Sequence, residues 1–203
     1  MARGWRLAAG VRWRVIDPST LQAKASRIKV ILFDVDGVLT DGTVVVHANG
    51  TESKAFNIRD GIAMVWAQRA GLTVGFLSAR TSATTPHRAA QLGVTLVYHG
   101  VASKIETFDR IVRDLSVGDD EVAYMGDDIV DLAVLDRAGL SAAPRDAVAE
   151  VRERVDLVTE SDGGQGAARE LIERILRARK AWDGIVAGYA EEGRALPERG
   201  SKP

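Results

Sequence analysis

Two carboxylates that lie two residues apart, Asp34 and Asp36, follow the largely apolar run Ile28–Leu32. This run predicts a buried strand, and Gly37 predicts the turn that ends it. In α/β folds, the side chains at the carboxyl end of such a strand reach the crevice where ligands bind. Two carboxylates there repel each other unless a cation or a proton lies between them. The pair therefore predicts a metal site, or a nucleophile and an acid with separate roles. Surface acids that cap a loop are the plainer alternative.

A second group of acids, Asp127, Asp128 and Asp131, follows the apolar run Val122–Met125 and Gly126. The spacing of Asp128 and Asp131 predicts that they share one face of a helix. Asp127, at the end of the strand, is the expected partner of the first pair. Capping of a helix N-terminus is the alternative, but it does not explain why two strand ends both carry acids. Hard oxygen ligands, in a chain with no cysteine and three histidines, favour Mg²⁺ over zinc.

A hydroxyl and a lysine complete the set. Ser78 ends an apolar strand pattern, and Lys104 opens the helical stretch Ile105–Leu115. Ser78 is suited to bonding a phosphoryl oxygen, and Lys104 to neutralising a nucleophile and a transferring group. Alone, such a serine is usually a cap and such a lysine is usually solvated. The order of acid pair, hydroxyl, lysine and acid cluster predicts a site for phosphoryl transfer.

This order resembles the haloacid dehalogenase superfamily of phosphohydrolases, with its DxD, Ser/Thr, Lys and GDDxxD motifs. Two longer stretches, FDVDGVLTDGTVVVHANGTESKAFNIRDG and VTESDGGQGAARELIERIL, resemble the capless 3-deoxy-D-manno-octulosonate 8-phosphate phosphatase family. The resemblance spans roughly residues 28–176, and FNIRDG is far more specific than DxD. The chain departs from the family at Ser78-Ala79-Arg80, where Thr-Gly-Arg is usual. Serine keeps the hydroxyl, whereas Ala79 could alter the loop beside the sugar.

The resemblance implies a Mg²⁺-dependent hydrolase of an acidic sugar phosphate, acting in lipopolysaccharide biosynthesis. Asp34 would form an aspartyl-phosphate, and Asp36 would protonate the leaving oxygen and then activate water. The implied metal ligands are Asp34, Asp127 and the backbone carbonyl of Asp36. Ser78 and Lys104 would hold the phosphoryl oxygens, with Asp128 and Asp131 orienting Lys104 or metal-bound water.

Substrate-binding candidates lie in the flap, in FNIRDG and after Ser78. Arg59 and Arg80 match the shape of a carboxylate, with a salt bridge to a helix acid as an equal alternative. Family members are typically tetramers in which flaps and tails complete adjacent sites, which implies a homotetramer here. The full set of candidates is Lys54, Arg59, Asp60, Gly61, Ala79 and Arg80.

Other functions share parts of this pattern. The nearest alternative is a phosphatase for a nine-carbon ulosonate 9-phosphate or another sugar phosphate. A response-regulator receiver also surrounds Mg²⁺ with acids, a hydroxyl and a lysine, but its phosphoacceptor lies on a later strand than its acid pair. A non-catalytic scaffold usually loses the nucleophile or the acid, and this chain has both Asp34 and Asp36.

The elements that must position these residues alternate as strands and helices. The alternation predicts an α/β, three-layer Rossmann-like domain with a parallel sheet and no separate cap domain. Asn49-Gly50 predicts a β-hairpin flap within residues 42–57. The predicted strands are 28–34, 72–77, 94–98, 121–125, 139–142 and 155–158. The predicted helices are 60–70, 82–92, 103–115, 128–137, 145–152 and 166–190.

Composition and length set the remaining expectations. A chain of 203 residues with net charge −1 suits one domain. The absence of cysteine permits a cytoplasmic location, and no run approaches the about 20 apolar residues of a membrane span. We predict a phosphatase domain at 28–180 and a solvated tail at 181–203. Residues 1–27 are predicted to be a poorly ordered basic arm, with contact to another subunit as an alternative and no nucleic-acid partner expected.

Overall fold

A computed structural model describes residues 16–192 and contains a central sheet of six parallel strands. Helices cover both faces of the sheet, so the predicted α/β fold is confirmed. The strands, in spatial order, are β5 (Leu96–His99), β4 (Thr73–Ser78), β1 (Val30–Phe33), β6 (Val122–Met125), β7 (Leu140–Ala143) and β8 (Leu157–Val158).

The helices follow the predicted alternation, with one unpredicted helix at the start and one predicted helix divided in two at the end. Short 3₁₀ turns also occur at Asp119–Glu121 and Ile129–Asp131. The helices are α1 (Pro18–Arg27), α2 (Ile58–Arg69), α3 (Thr84–Gln91), α4 (Lys104–Leu115), α5 (Leu132–Leu135), α6 (Ala149–Arg152), α7 (Ala167–Ala178) and α8 (Trp182–Glu192). Within residues 16–192, no helix is both long and apolar enough to cross a membrane.

The first strand of the sheet in chain order, β1, lies at the centre of the sheet. From β1 the chain moves outward through β4 and β5, and then returns to the other side of β1 for β6, β7 and β8. A crevice opens at the carboxyl edge where the direction of winding changes. Because β1 and β6 flank that point, the residues that follow these two strands, Asp34 and Asp127, are brought together.

Both faces of the sheet are buried, which explains why β1 is a continuous apolar run rather than an alternating one. Ile31 and Phe33 pack in the core beneath α1, α2 and α7. Val30 and Leu32 pack on the opposite face, with Phe108 of α4.

The flap is a two-stranded antiparallel hairpin, β2 (Val45–Val46) and β3 (Glu52–Ser53), as predicted. Asn49 accepts a hydrogen bond from the Thr51 backbone N–H at 3.0 Å, and Gly50 takes a φ of 82° that suits glycine. Between β1 and α2 the chain therefore adds this hairpin and no further domain.

Helix α1 was not predicted, and it lies within the segment expected to be a poorly ordered arm. The Asp17 side chain caps it by accepting hydrogen bonds from the Ser19 and Thr20 N–H groups, both at 3.0 Å, and Pro18 occupies the first turn. The helix packs on α7, and Lys24 forms an ion pair with Asp156 at 2.5 Å. Residues 18–27 therefore belong to the packed domain, whereas residues 1–15 of the predicted arm lie outside the described residues.

Two predicted helices also differ from the structure. The helix predicted at 166–190 is two helices, because Lys180 adopts a left-handed φ of 59° between α7 and α8. Residues 182–192 are thus helical rather than a solvated tail, and residues 193–203 lie outside the described residues. The helix predicted at 128–137 is a 3₁₀ turn followed by the short α5.

Candidate active site

The loop after β1 holds Asp34 at the sheet edge. The Asp34 N–H donates to the Met125 carbonyl at 3.0 Å, so the loop continues the pairing of β1 with β6. The buried Thr40 hydroxyl accepts from the N–H groups of Gly37 and Gly42 at 3.3 and 3.2 Å, which closes the turn. A Cβ atom on Gly37 would lie 2.0 Å from Asp127 Oδ2. Glycine is therefore required for this close approach.

Three carboxylates meet next to this loop, as one oxygen from each of Asp34, Asp127 and Asp131 lies within 4.8 Å of the others. Burial raises the pKa of Asp34 to about 6, although the Lys104 ammonium opposes the shift. Burial, followed by the charges of Asp34 and Asp131, raises the pKa of Asp127 to about 8. Asp34 Oδ1 and Asp127 Oδ1 are buried with no hydrogen-bond partner among the described residues. Two unpaired carboxylate oxygens in a repulsive cluster suit a hard divalent cation.

Lys104 and Asp131 form a buried network with the nucleophile candidate. Lys104 Nζ lies 2.9 Å from Asp34 Oδ2 and 2.6 Å from Asp131 Oδ1. Burial disfavours the charged lysine, but the two carboxylates outweigh it and raise the pKa of Lys104. Asp131 Oδ1 also accepts a hydrogen bond from the Tyr124 hydroxyl. Asp131 Oδ2 accepts from the N–H groups of Asp127 and Asp128 at 3.1 and 3.3 Å. Since four donors occupy Asp131, the oxygens left for a cation are those of Asp34 and Asp127.

Asp128 is placed differently from the expectation that it orients Lys104 together with Asp131. Its exposed side chain caps the 3₁₀ turn by accepting from the Ile129 N–H at 2.7 Å. The turn, rather than an α-helix, begins there, so Asp128 and Asp131 do not share a helix face. The Asp128 side chain therefore caps the turn, which was the alternative to a role in the site. Its backbone N–H donates to Asp131.

Ser78 lies at the end of β4, next to β1, and is buried. Its hydroxyl accepts from the Arg80 backbone N–H at 3.3 Å and donates to the Arg80 carbonyl at 3.5 Å, and no side chain is among its hydrogen-bond partners in the described residues. The hydroxyl therefore lies at the same carboxyl edge of the sheet as Asp34, one strand away. This position suits the role of a phosphoryl-binding hydroxyl.

The flap contacts the site through two ion pairs. Lys54 Nζ lies 2.6 and 2.9 Å from the two carboxylate oxygens of Asp36, and its side chain is fully covered. Glu52 accepts from Arg80 at 2.7 Å, and this contact ties the hairpin to the loop after β4. Arg80 thus makes the salt bridge that was the alternative to a substrate contact, although its partner is a flap residue rather than a helix acid.

The other predicted substrate-binding residues are distributed over two regions. Ala79 is exposed beside Arg80. Arg59 is also exposed and lines a groove of about 640 Å³ along α7, whose lining includes none of the acids of the cluster. Asp60 is buried and caps α7 by accepting from the Arg169 N–H at 2.8 Å. Gly61 packs so closely against Arg88 and Leu92 that a Cβ atom at this position would lie 2.5 Å from the Arg88 guanidinium. For Asp60 and Gly61 the contacts are therefore structural.

Three residues of the site were not predicted from the sequence. Tyr124 bonds Asp131, Thr40 closes the nucleophile loop, and Glu52 holds Arg80. Tyr124 carried a usable signal, because a phenol in an otherwise apolar buried strand must find a partner for its hydroxyl. Thr40 and Glu52 resemble ordinary loop and flap residues in sequence.

The sheet order and the carboxylate, lysine and hydroxyl groups at its carboxyl edge are those of a phosphotransfer hydrolase of the haloacid dehalogenase type. The family model described as haloacid dehalogenase-like hydrolase matches residues 76–171. The 3-deoxy-D-manno-octulosonate 8-phosphate phosphatase of Escherichia coli strain B is 38% identical over 163 residues, 80% of this chain and 87% of the relative. The chain therefore belongs to the 3-deoxy-D-manno-octulosonate 8-phosphate phosphatase family.

Solved structures support the same family. A probable YrbI family phosphatase from Pseudomonas syringae superposes with a TM-score of 0.84 at 38% identity, covering 85% of this chain and 98% of that one. The 3-deoxy-D-manno-octulosonate 8-phosphate phosphatase of Moraxella catarrhalis, solved with magnesium, phosphate and the sugar, gives 0.83 at 31% identity, covering 85% and 99%.

Proposed function

We propose that this protein hydrolyses 3-deoxy-D-manno-octulosonate 8-phosphate to 3-deoxy-D-manno-octulosonate and phosphate, a step of lipopolysaccharide biosynthesis. The observation that carries the proposal is the pair of free, buried oxygens on Asp34 and Asp127 beside Lys104, in a chain 38% identical to a phosphatase of this name. The buried lysine beside one of these acids is suited to drawing a phosphate monoester toward the carboxylate of Asp34.

Asp34 is the nucleophile in this mechanism. Its carboxylate forms a bond to phosphorus while the bond from phosphorus to the sugar oxygen breaks, and Asp36 gives its proton to that oxygen. Asp36 then removes a proton from the water that attacks the aspartyl-phosphate, which releases phosphate and restores Asp34. Lys104 and Ser78 bind the phosphoryl oxygens during both steps.

Asp34, Asp127 and the Asp36 backbone carbonyl would hold Mg²⁺. When bound, the cation would offset the charges of the two carboxylates and of the phosphate group, which lowers the electrostatic repulsion between the anionic nucleophile and the anionic substrate. The two buried oxygens without hydrogen bonds support this choice of Asp34 and Asp127.

We assign recognition of the acidic sugar to Lys54 and Arg80. Both cations lie where the flap meets the site, and each now contacts a carboxylate, Asp36 or Glu52. The sugar carboxylate is a chemical equivalent of these partners, so substrate binding would exchange one carboxylate for another. Ala79 lies between Ser78 and Arg80 and shapes the same loop.

Phosphate release from a panel of sugar phosphates with and without Mg²⁺ tests the function. The panel contains 3-deoxy-D-manno-octulosonate 8-phosphate, nine-carbon ulosonate 9-phosphates and hexose phosphates. We expect kcat/KM for the eight-carbon acid to exceed the others by about a hundredfold, or about 2.7 kcal/mol of transition-state discrimination. Asp34→Asn should abolish turnover. A preference for a nine-carbon acid would overturn the assignment of the substrate, and Mg²⁺-dependent turnover by Asp34→Asn would overturn the assignment of Asp34 as the nucleophile.

We also propose a cytoplasmic homotetramer in which a neighbouring subunit completes each site. The flap alone leaves the site open, and its valines are exposed, Val45 by 53% and Val46 by 71%. Exposed apolar residues beside a site favour contact with another protein surface. Light scattering should give about four times the mass of one chain, and Val46→Asp should lower both mass and activity, whereas Val186→Asp on α8 should change neither. A fully active monomer would contradict this proposal.

A further inference from the structure

Tyr124 is a tyrosine in the middle of a buried parallel strand. Its side chain is fully buried, and its neighbours in β6 are Val122, Ala123 and Met125. An apolar side chain would fill such a position without the cost of burying a hydroxyl. The hydroxyl is satisfied by one contact, the oxygen Asp131 Oδ1. The tyrosine therefore links the buried strand β6 to the acid cluster through its hydrogen bond to Asp131.

The Asp131 carboxylate is held by donors on both oxygens. Oδ2 accepts from two backbone N–H groups just before the 3₁₀ turn, those of Asp127 and Asp128, which any sequence with this backbone supplies. Oδ1 accepts from Lys104 at 2.6 Å and from Tyr124. Because Lys104 is a flexible side chain that itself needs a fixed partner, the Tyr124 hydroxyl is the rigid side-chain donor that keeps Oδ1 in place.

We propose that Tyr124 is a positioning residue, which acts through Asp131 to hold the Lys104 ammonium against Asp34. The ammonium lies 2.9 Å from Asp34 Oδ2, and this separation depends on where Asp131 Oδ1 holds the other side of the lysine. The inference rests on the proposed function, since it gives Lys104 and Asp34 their roles in phosphoryl transfer. Without the hydroxyl the carboxylate can rotate, and the charge that stabilises the transition state moves away from the reacting phosphorus.

Tyr124→Phe removes one oxygen atom and keeps the ring. We expect kcat to fall about 10–100-fold, as for loss of one preorganised group, with KM changed less than about threefold. The matched control is Tyr98→Phe on β5, whose ring lies under the Arg110 guanidinium, and it should leave kcat unchanged. The value of kcat should be measured with both 3-deoxy-D-manno-octulosonate 8-phosphate and p-nitrophenyl phosphate, so that the effect of the variant is seen even if the proposed sugar is not the substrate.

A double-mutant cycle with Asp131→Asn separates positioning from general packing. If Tyr124 acts through Asp131, Tyr124→Phe should change kcat less than about twofold in the Asp131→Asn background. An equal loss in both backgrounds, or no loss in Tyr124→Phe alone, would overturn the inference.

Acylation of Lys104, measured by mass spectrometry, gives a readout that needs no turnover. Lys104 is 5% exposed, and Tyr124→Phe should raise its rate of labelling while Tyr98→Phe does not. No increase would overturn the inference even if the wild type proved inactive on both substrates. In that case the failure of the proposed function would be seen separately, as the absence of phosphate release.

Discussion

The acid cluster has the chemistry of a site prepared for a cation. Burial and mutual repulsion raise the pKa of Asp34 to about 6 and of Asp127 to about 8. One lysine, Lys104, offsets part of this negative charge, and it contacts Asp34 and Asp131 rather than Asp127. Asp127 is therefore the carboxylate that most needs either a proton or a metal ion.

This charge distribution predicts how Mg²⁺ binding depends on pH. The pKa of Asp127 rises from 3.8 to about 8 on folding. The protonated group therefore stabilises the metal-free fold in full below about pH 3.8, and this stabilisation is lost progressively as pH rises from there through about 8. Below that pH, Mg²⁺ must displace the proton, so its apparent affinity should weaken by up to about tenfold per pH unit.

Thermal unfolding with Mg²⁺ and with a chelator, at about pH 6 and about pH 8, measures this dependence. We expect the increase in Tm caused by Mg²⁺ to be larger near pH 8. Asp127→Asn removes the ligand that titrates near pH 8, so its Mg²⁺ shift should be small at both values, whereas the exposed Asp128→Asn should behave as the wild type. An equal Mg²⁺ shift at both pH values in the wild type would show that no proton is displaced.

At single positions, the sequence supported some assignments better than others. The positions of Asp34, Asp127 and Lys104 followed from the ends of strands and the start of a helix, which depend on local pattern. Asp128 and Asp131 could not be separated this way, because the choice between a 3₁₀ turn and an α-helix depends on how the turn packs against β6. The contacts of Asp60 and Arg80 were likewise set by distant segments, α7 and the flap.

At the scale of elements, the glycine-rich segment before α7 depends on its glycines for a close contact with the loop after β1. A Cβ atom on Gly163 would lie 1.9 Å from the Gly37 carbonyl oxygen, and the Gly164 N–H donates to the Val38 carbonyl at 2.9 Å. The segment therefore packs directly against the backbone of the nucleophile loop. Two distant motifs are joined by a contact that only glycine permits.

The flap is held down by few interactions, and this predicts its mobility. Glu52 binds Arg80 at 2.7 Å, but the Arg80 side chain is 43% exposed, so solvent screens the pair and it holds the flap only weakly. Glu52→Gln should raise the hydrogen-exchange rate of flap amides by about twofold to fivefold. Arg154→Gln, which removes the exposed pair with Asp136, should leave the flap unchanged. A flap that exchanges as slowly in Glu52→Gln would show that Lys54 and Asp36 hold it alone.

The strands were predicted to within about two residues because the central ones, β1, β4, β6 and β7, are largely apolar and buried, and such runs depend little on context. Helix α1 was not predicted because its basic residues resemble those of a solvated arm, although Asp17 followed by Pro18 is a helix-start signal. The break between α7 and α8 was missed because both helices continue one apolar pattern. Only the left-handed conformation at Lys180 divides them.

At the scale of the whole molecule, the chain ends of the described region close one face of the sheet. Helices α1 and α8 both pack against α7, so the first and last helices share a single support. Trp66 of α2 meets Trp182 of α8 edge to face at 5.5 Å and donates its indole N–H to the Tyr189 hydroxyl at 3.0 Å. Helix α8 is therefore anchored to the core through Trp182 rather than being an appendage.

This packing predicts that α8 contributes to global stability, although it lies outside the active site. Trp182 is 8% exposed, and Trp182→Ala should lower the free energy of unfolding by about 3 kcal/mol. Val186→Ala, on the same helix but 48% exposed, should lower it by less than about 1 kcal/mol. Urea unfolding monitored by circular dichroism gives both values. Because α8 contributes no atom to the acid cluster, kcat of folded Trp182→Ala should equal that of the wild type. An equal loss of stability in the two variants would contradict the prediction that α8 is held to the domain mainly through Trp182.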